Sequence, residues 1–552
     1  MKIYKSPYAP LELKRTEYNL GQFLRDGWRR HPTNLFIDAD SGVRYTGQEC
    51  ATLSQILAER LAKQLQLAKG DIVAICTAST VRTPLFLSAV WALNAAATGL
   101  DIGHKEDEYI ELTEPLQPKL FICNQSNLAV ALKVKQALPC IKYIVVLDDE
   151  PATPTDDNDG CVVWFGSLCR PTGGSLEAAD ASAEVEIAPD QIAYLPRTSG
   201  TTGRSKAVMH SHRTLLSASL MMGAPDVMVW SAGSTVMATS SIHHAYCLVD
   251  VFLAIVNRGY SFVHAQTTDP ALILERIQRF NVYALFTTPY ILILILNLFK
   301  TKNTVITRNT DLSCLRAIVS ATNVFPEDLF PYLRECLPDL QSFGNCYGLT
   351  EAIAGFGHRY EGFEKPCTIG RILANGEFRI VSPETLKDVE EGQRGELWIR
   401  VPCRMVGYHN DRKAFEEAMA EGEWYKTGDI CTVDFDGYVK AVDRLKEFIK
   451  TKYSTVSPGE VEAKILQYPK VRDVAVVGLP HPVLHNALHA IVAPNEPVTE
   501  EELHRHMADV APDIYKLEGG ITFCDAVPRT AMGKLMRRNL VQWVLDRQAK
   551  ST

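Results

Sequence analysis

The stretch of residues 194–206 runs from an apolar lead into a loop of hydroxyls and glycines that a lysine closes. Glycines that turn with positive φ let backbone N–H groups approach oxygen anions, and the hydroxyls add further donors. The spacing is not that of a P-loop, because only two residues separate the glycines. A flexible linker is the less favoured alternative. The residues that predict contacts with a polyphosphate are Thr198, Ser199, Gly200, Thr201, Thr202, Gly203 and Lys206.

A second candidate group ends in a carboxylate. Glu351 accepts hydrogen bonds only, and it could hold Mg²⁺ against phosphates. Thr350 adds a hydroxyl beside it. Tyr347 offers a flat face on which adenine could stack, although a core aromatic with a satisfied hydroxyl is an ordinary reading of a lone tyrosine.

Bulk composition limits the partners of this site. The 552 residues are 46% hydrophobic and carry a formal net charge of -8, which offers no global attraction to nucleic acid or to an anionic membrane. The 14 cysteines form no C-x-x-C pair, which favours reduced thiols over disulfides or zinc. The N-terminus lacks the apolar core of a secretory signal, so we expect a cytoplasmic protein. The longest apolar run, 291–299, is far short of the ~20 residues that span a bilayer.

The elements that position these residues alternate between strand-like and helical patterns, which predicts a mostly α/β fold. The predicted strands are 71–77, 284–287, 317–320 and 474–479, and the predicted helices are 84–97, 271–281, 290–299 and 533–550. In the last helix Met536, Leu540 and Val544 recur at helical spacing. Residues 148–160 predict a surface loop. The chain changes character near residue 443, so we predict two domains, 1–442 and 443–552.

Five motifs in order give the chain a family resemblance. They are the loop at 194–206 and the segments 345–351, 425–429, 443–446 and 528–534. Together they resemble the superfamily of adenylate-forming enzymes, which includes acyl-CoA synthetases, 4-coumarate:CoA ligases, beetle luciferases and nonribosomal peptide synthetase adenylation domains. The resemblance covers nearly the whole chain. It implies a large N-terminal AMP-binding domain of α/β subdomains with a β-barrel-like part, followed by a small mobile α+β domain.

The resemblance also implies roles for single residues. Asp429 stands where the family binds the ribose hydroxyls, Arg444 is a further nucleotide contact, and Lys446 is the hinge. Lys534 is the C-terminal lysine that bridges the substrate carboxylate and the phosphate, which lowers the repulsion between two anions. Its alternative is a place on the solvated face of a helix beside several arginines.

The acyl pocket is expected around a histidine pair. Segment 241–246 aligns with the family's histidine-containing segment, with His244 near the carboxylate and His243 beside it, although the two could exchange roles. Cys346 stands where many relatives have glycine, and Thr322 with Asn323 replaces Ala-Pro, so the wall should be bulkier and more polar. A small or medium aryl or alkyl carboxylate is the expected substrate. The full predicted pocket is His243, His244, Ser320, Ala321, Thr322, Asn345 and Cys346.

The resemblance implies an ATP- and Mg²⁺-dependent ligase that forms an acyl adenylate, releases pyrophosphate and transfers the acyl group to coenzyme A. Two departures bear on the transfer step. Residues 452–454 lack the glycine that the family's CoA ligases usually have there, and Asn486–Ala487 replaces a Gly-Glu pair. Three alternatives therefore remain: delivery to a carrier protein or another nucleophile, a luciferase-like oxygenase, and a non-catalytic nucleotide-binding protein.

Overall fold

The computed structural model describes residues 2–13, 19–78, 80–150, 160–170, 188–198, 205–300, 310–360, 362–451, 455–481, 484–529 and 535–551. The chain divides into two compact units. The larger comprises Ile3–Phe378 and Ile399–Tyr425, and the smaller comprises Met1–Lys2, Arg379–Trp398 and Lys426–Thr552. The predicted division into domains 1–442 and 443–552 stays a prediction.

The first large sheet of the larger unit has eight strands. Most of its neighbours are parallel, and the strands are continuous apolar runs because both faces of a parallel sheet are buried. Val208–Ser211 is antiparallel to both of its neighbours. The spatial order is Gly407–Tyr408, Val208–Ser211, Ile192–Tyr194, Ala96–Gly99, Ile72–Cys76, Leu120–Cys123, Tyr143–Val146 and Val162–Trp164.

The second large sheet has seven strands, and all its neighbours are parallel except the last pair. Its apolar side chains join those of the flanking helices in a core that includes Ile273, Leu285, Ile318 and Phe343. The spatial order is Ser342–Asn345, Ala317–Ser320, Ala284–Thr287, Thr235–Ala238, Ser261–His264, Leu35–Asp38 and Arg44–Thr46. A small antiparallel sheet follows, with strands Tyr347–Leu349, Ala352–Gly357 and Arg371–Ile372.

Several helices of the larger unit begin at side-chain caps. Thr46 and Glu49 form a reciprocal capping box, and Asp269 caps a helix that begins with a proline. The helices are Leu20–Arg30, Gly47–Lys63, Arg82–Ala92, Glu106–Thr113, Leu128–Ala137, Phe165–Cys169, His212–Met222, Ala254–Arg258, Pro270–Arg279, Pro289–Lys300, Phe330–Cys336 and Arg412–Ala418, with a π-helical stretch at Tyr246–Leu253. Within the described part of the chain, no helix is both long and apolar enough to cross a membrane.

The smaller unit combines sheets with three helices. Gly395–Arg400, Trp424–Val433 and Val439–Arg444 are successive neighbours in one sheet, and Val471–His481, His485–Pro494 and Ile521–Phe523 form another. Ile449–Lys450 pairs with Thr455–Val456. The helices are Pro458–Leu466, Glu500–Val510 and Arg537–Ser551. Leu540 and Val544 are buried against the sheet, as the helical spacing predicts.

The mixed α/β class is confirmed, and most predicted elements agree with the structure to within a few residues. The exception is the helix predicted at 84–97, which ends at Ala92. Asn94 has φ 53°, which breaks the helix, and Ala96–Gly99 then forms a strand. The alanines of this segment fit either element, so tertiary pairing decided between them. Residues 151–159 of the predicted surface loop lie outside the described residues.

Candidate active site

The two ends of the predicted phosphate loop are tied together. The N–H of Thr198 donates to the carbonyl of Lys206 at 2.9 Å, and the N–H of Lys206 donates to the Thr198 hydroxyl at 3.2 Å. Arg197 donates to the carbonyl of Ser205 at 2.6 Å, a contact that the sequence did not predict. Ser199, Gly200, Thr201, Thr202 and Gly203 lie outside the described residues. Hydrogen bonds between residues 197–198 and 205–206 therefore fix the neck of the loop.

Lys206 extends from this neck over an aromatic ring. Its Nζ lies 4.9 Å from the centroid of Tyr408 and 3.9 Å from a carboxylate oxygen of Asp411. The side chain is 38% exposed, so the contact with Asp411 is a weak surface pair. The ring attracts the ammonium electrostatically while leaving its N–H groups available to an anion.

Glu351 reaches the same tyrosine from another element. The Tyr408 hydroxyl donates to Oε1 of Glu351 at 2.9 Å, and the N–H of Met405 donates to the Glu351 carbonyl at 2.7 Å. Burial, and then the charge of Glu351, raise the pKa of Tyr408, so its hydroxyl stays protonated and donates. The structure thus brings the predicted cation and the predicted carboxylate onto one buried side chain. Residue types alone gave no sign of Tyr408.

The donor set at Glu351 fits Mg²⁺ shared with a nucleotide. Mg²⁺ in such sites takes one or two carboxylates and completes its shell with phosphate oxygens and water. Glu351 supplies one oriented carboxylate. Across the described residues, no group of three or more histidines, cysteines or acidic residues forms a cage made by protein alone.

A buried histidine holds the segment before Glu351 in place through a hydrogen bond. Nε2 of His210 donates to the carbonyl of Thr350 at 2.7 Å, and burial lowers the pKa of His210 to about 4, so the ring is neutral. Tyr347 packs edge-on against Phe356, with ring centroids 5.7 Å apart and an interplanar angle of 78°. This contact does not test whether adenine stacks on Tyr347, so that role stays a prediction.

Five of the predicted acyl-pocket residues lie where two neighbouring parallel strands end: Ser320, Ala321, Thr322, Asn345 and Cys346. Ser320 is directly opposite Asn345 in the sheet, and the N–H of Cys346 donates to the Ser320 carbonyl at 2.8 Å. Ala321 and Thr322 continue from the same strand end. Thr322 has φ 76°, an outlier for a β-branched residue of the kind that clusters at functional sites. Ligands of α/β sheets bind at such carboxyl ends.

Two of the predicted pocket residues, Asn345 and Ser320, differ in their hydrogen bonding. The amide of Asn345 donates to the carbonyls of Pro366 and Thr368 at 2.6 and 2.9 Å, and its oxygen accepts from the N–H of Phe325 at 3.2 Å. Asn345 therefore holds two loops together. The hydroxyl of Ser320, by contrast, is buried without a hydrogen-bond partner among the described residues.

The structure distinguishes the two histidines. Nε2 of His243 lies 2.7 Å from the carbonyl of Thr77, and burial lowers the pKa of His243 to about 4. His243 is thus a neutral ring bonded to backbone. The side chain of His244 is 40% exposed, with Nε2 3.7 Å from a carboxylate oxygen of Asp101. This environment favours His244, rather than His243, as the group that could approach a substrate carboxylate.

In the smaller unit, Asp429 and Arg444 face each other on antiparallel strands. Arg444 Nε lies 2.9 Å from Oδ1 of Asp429, which is 6% exposed. Gly428 has φ 71°, and its N–H donates to Glu396 at 3.0 Å. Lys446 is exposed in the turn that follows this strand pair. Lys534 lies outside the described residues.

Comparison with known proteins matches the chain to two family descriptions. "AMP-binding enzyme" matches residues 24–409, and "AMP-binding enzyme C-terminal domain" matches residues 460–534. A curated relative is the "Probable 4-coumarate--CoA ligase 1" of Dictyostelium discoideum, which is 28% identical over 519 residues, or 92% of this chain and 91% of that protein.

Solved structures share the fold at low sequence identity. The anthranilate CoA ligase AuaEII in complex with anthranoyl-AMP superposes with a TM-score of 0.83 at 22% identity, covering 97% of this chain and 99% of that one. ATP-bound MatB from Rhodopseudomonas palustris gives a TM-score of 0.81 at 21% identity, with 95% and 99% covered.

Proposed function

The chain belongs to the AMP-binding enzyme family, and from this premise we propose that it converts a carboxylic acid to its acyl adenylate with ATP and then transfers the acyl group to coenzyme A. The observation that carries the proposal is the convergence of Lys206 and Glu351 on Tyr408. A mobile cation and an oriented carboxylate meet at the neck of a hydroxyl-rich loop, as the binding of a metal-bound polyphosphate requires.

In the first half-reaction an oxygen of the substrate carboxylate attacks the α-phosphorus of ATP. The bond from that phosphorus to the pyrophosphate bridging oxygen breaks, and pyrophosphate leaves. Lys206 stabilises the phosphate charge that grows on the leaving group. Mg²⁺, when bound through Glu351, neutralises further phosphate charge. Tyr408 orients the Glu351 carboxylate for that contact.

Residues of the smaller unit have separate roles in this proposal. Asp429 accepts hydrogen bonds from the two ribose hydroxyls, and Arg444 orients its carboxylate. Lys534 bridges the incoming carboxylate and the α-phosphate, which lowers the repulsion between them. The role of Lys534 rests on the motif at 528–534 alone.

In the second half-reaction the sulfur of coenzyme A attacks the acyl carbonyl carbon, and AMP leaves with the electron pair of the broken C–O bond. His244 lies two residues before the π-helical stretch Tyr246–Leu253, and we assign it to the reacting carboxylate end. Lys446 is the proposed hinge. The substrate is a small or medium aryl or alkyl acid, because the side chains of Thr322 and Cys346 make the pocket wall bulkier. We also propose a cytoplasmic location, since the 14 cysteines, all of which lie in the described ranges, form no disulfide bond.

A second candidate delivers the adenylate to a carrier protein or another nucleophile. Asn486 motivates it, because its amide donates to the Lys450 carbonyl at 2.9 Å and fixes a side chain where CoA ligases of the family usually have Gly-Glu. Residues 452–454 lie outside the described part of the chain.

One experiment tests the reaction and its acceptor together. Pyrophosphate exchange into ATP is measured with a panel of aryl and alkyl acids, and AMP and acyl-CoA are quantified separately in the presence of coenzyme A. Exchange with stoichiometric AMP and acyl-CoA supports the ligase. Exchange without thioester supports the second candidate. ATP binding without exchange for any acid contradicts both.

A further inference from the structure

A carboxyl group with no role in adenylation is buried in the larger unit. Asp250 belongs to the π-helical stretch Tyr246–Leu253 and is 4% exposed. Its Oδ1 has no hydrogen-bond partner among the described residues, whereas the backbone of Ala354 hydrogen bonds to the carboxyl. An unpaired buried carboxyl is costly, because burial removes the hydration that stabilises its charge.

The groups around Asp250 repeat this pattern. The hydroxyl of Tyr246 is buried and has no nitrogen or oxygen partner among the described residues, and the buried hydroxyl of Tyr360 contacts the backbone of His358. Both phenols face the thiol of Cys346, which is only a weak hydrogen-bonding group. Two oxygens of the π-helical stretch, Oδ1 of Asp250 and the Tyr246 hydroxyl, therefore lack a nitrogen or oxygen partner among the described residues, and the Tyr360 hydroxyl lies beside the same thiol. Buried polar groups are paired in the great majority of cases, so each such group calls for an explanation.

Among the described residues, no positive side chain is recorded acting on this carboxyl. The groups that act on Asp250, or that it acts on, are the phenols of Tyr246 and Tyr360 and the thiols of Cys346 and Cys403. Burial raises the pKa of Asp250 well above its usual value, so the carboxyl is neutral while the site is empty.

The cluster adjoins the proposed acyl pocket. Cys346 follows Asn345 at the strand end that carries Ser320. On the helical side, Asp250 comes six residues after His244, and six residues of α-helix rise about 9 Å. A π-helical stretch is rare in proteins and occurs frequently at functional sites. If His244 marks the carboxylate end of the substrate, Asp250 lies at the remote end.

We infer that Asp250, with the hydroxyls of Tyr246 and Tyr360, forms a subsite for a protonated amino group at the end of the acyl substrate remote from its carboxylate. The inference rests on the proposed function, because it identifies the substrate of that reaction. An ammonium donates to the Asp250 carboxylate and to both phenol oxygens. Asp250 releases its proton when the cation binds.

The positive charge of an ammonium group distinguishes it from other polar groups that could bind at Asp250. An asparagine would bind a neutral hydroxyl equally well, because its amide forms hydrogen bonds without the cost of burying an ionisable group. A carboxylate matches a cation, and in a buried site that pairing is strong when the remaining hydrogen bonds are also made. The distance from His244 separates the amino group from the reacting carboxylate, so the expected acids are ω-amino or aminomethyl-aryl acids rather than α-amino acids.

Matched acids test the inference. Para-aminomethyl aryl acids of increasing chain length, and ω-amino alkyl acids, are each compared with the isosteric methyl and hydroxymethyl acids by pyrophosphate exchange. We expect the wild-type protein to prefer the best ammonium acid over both isosteres by about 10- to 100-fold in kcat/KM. Asp250→Asn should remove this preference while keeping exchange with the methyl isostere. A wild-type preference for either neutral isostere, or a preference that survives in Asp250→Asn, overturns the inference.

Two further measurements separate recognition from structure. Asp250→Asn should not lower the melting temperature of the empty protein, since the amide keeps an oxygen for the backbone of Ala354 and replaces the ionisable carboxyl whose Oδ1 has no partner among the described residues. A lowered melting temperature with an equal loss of exchange for all acids would make Asp250 structural and overturn the subsite. Calorimetry of the ammonium acid in two buffers should show release of about one proton at pH 7, and this release should vanish in Asp250→Asn.

Calorimetry also separates this inference from the proposed function. Asp250-dependent binding and proton release without pyrophosphate exchange would retain the subsite and contradict the ligase. Exchange with neutral acids, without Asp250-dependent binding of any ammonium acid, would retain the ligase and overturn the subsite.

Discussion

Nε of Arg444 lies 2.9 Å from Oδ1 of Asp429, and the two residues are directly opposite each other on antiparallel strands. The pairing orients a nearly buried carboxylate next to Gly428. Strand register thus turns two residues that are 15 positions apart in the sequence into one anion-and-cation pair.

Asp429→Asn should weaken ATP binding by about 10- to 100-fold, because an amide replaces a charged acceptor that is worth about 1.5–3 kcal/mol. Titration calorimetry with ATP measures the effect. Asp436→Asn, in the turn at the far end of the same strand pair, is the matched control and should bind ATP normally. Equal affinities for Asp429→Asn and the control would refute the ribose assignment.

Tyr408→Phe should raise the Mg²⁺ concentration needed for half-maximal pyrophosphate exchange by about 10-fold. The substitution keeps the ring beside Lys206 but removes the hydroxyl that orients Glu351. Tyr408→Leu removes both contacts and should weaken ATP binding as well. An unchanged Mg²⁺ dependence in Tyr408→Phe would disconnect Glu351 from the metal.

Lys534→Ala should slow adenylate formation by about 10²- to 10³-fold while ATP affinity changes only a few fold, since the lysine acts where charge redistributes in the transition state. Single-turnover formation of adenylate is the measurement. Lys516→Ala is the control, because Lys516 is an exposed lysine of the same unit paired only with Asp513. A normal rate in Lys534→Ala would remove it from the mechanism.

Lys446→Pro should lower overall thioester formation at least about 10-fold and leave pyrophosphate exchange within about 2-fold. Proline fixes φ at its own position and restricts the residue before it, so a hinge there can no longer turn. Lys446→Ala controls for loss of the side chain. Full overall ligation by the proline variant would show that the hinge lies elsewhere.

Stability should fall as the pH is lowered from 7 to 5, with His212 as one cause. Burial lowers its pKa to about 4, and its Nδ1 accepts from the N–H of Leu20 at 3.1 Å, so the folded protein holds the neutral ring. Between pH 6.5 and 4 the unfolded chain binds a proton that the folded protein does not, which costs about 2 kcal/mol of unfolding free energy at pH 5.

The variant His212→Asn should therefore lose about 2 kcal/mol less than wild type between pH 7 and pH 5. Urea unfolding at the two pH values gives the difference. The exposed His504→Asn should behave like wild type. An identical pH dependence for His212→Asn and wild type would contradict a neutral buried ring.

Local chemistry was readable from the sequence. A loop of glycines and hydroxyls closed by Lys206 indicates phosphate binding, because backbone freedom and donor type are properties of the residues themselves. Continuous apolar runs likewise located the strands Ile72–Cys76, Ala284–Thr287 and Ala317–Ser320, since a strand buried on both faces has no polar side to display.

Only the tertiary structure decided which side chains meet. Tyr408 joins Lys206 to Glu351 through strand pairing between Val208–Ser211 and Gly407–Tyr408, a contact between positions about 200 residues apart. The sequence does not distinguish His243 from His244, whereas packing buries His243 as a neutral ring and leaves the side chain of His244 partly exposed. Side-chain type is local information, whereas register and burial depend on packing between distant segments, and a one-dimensional pattern does not specify that packing.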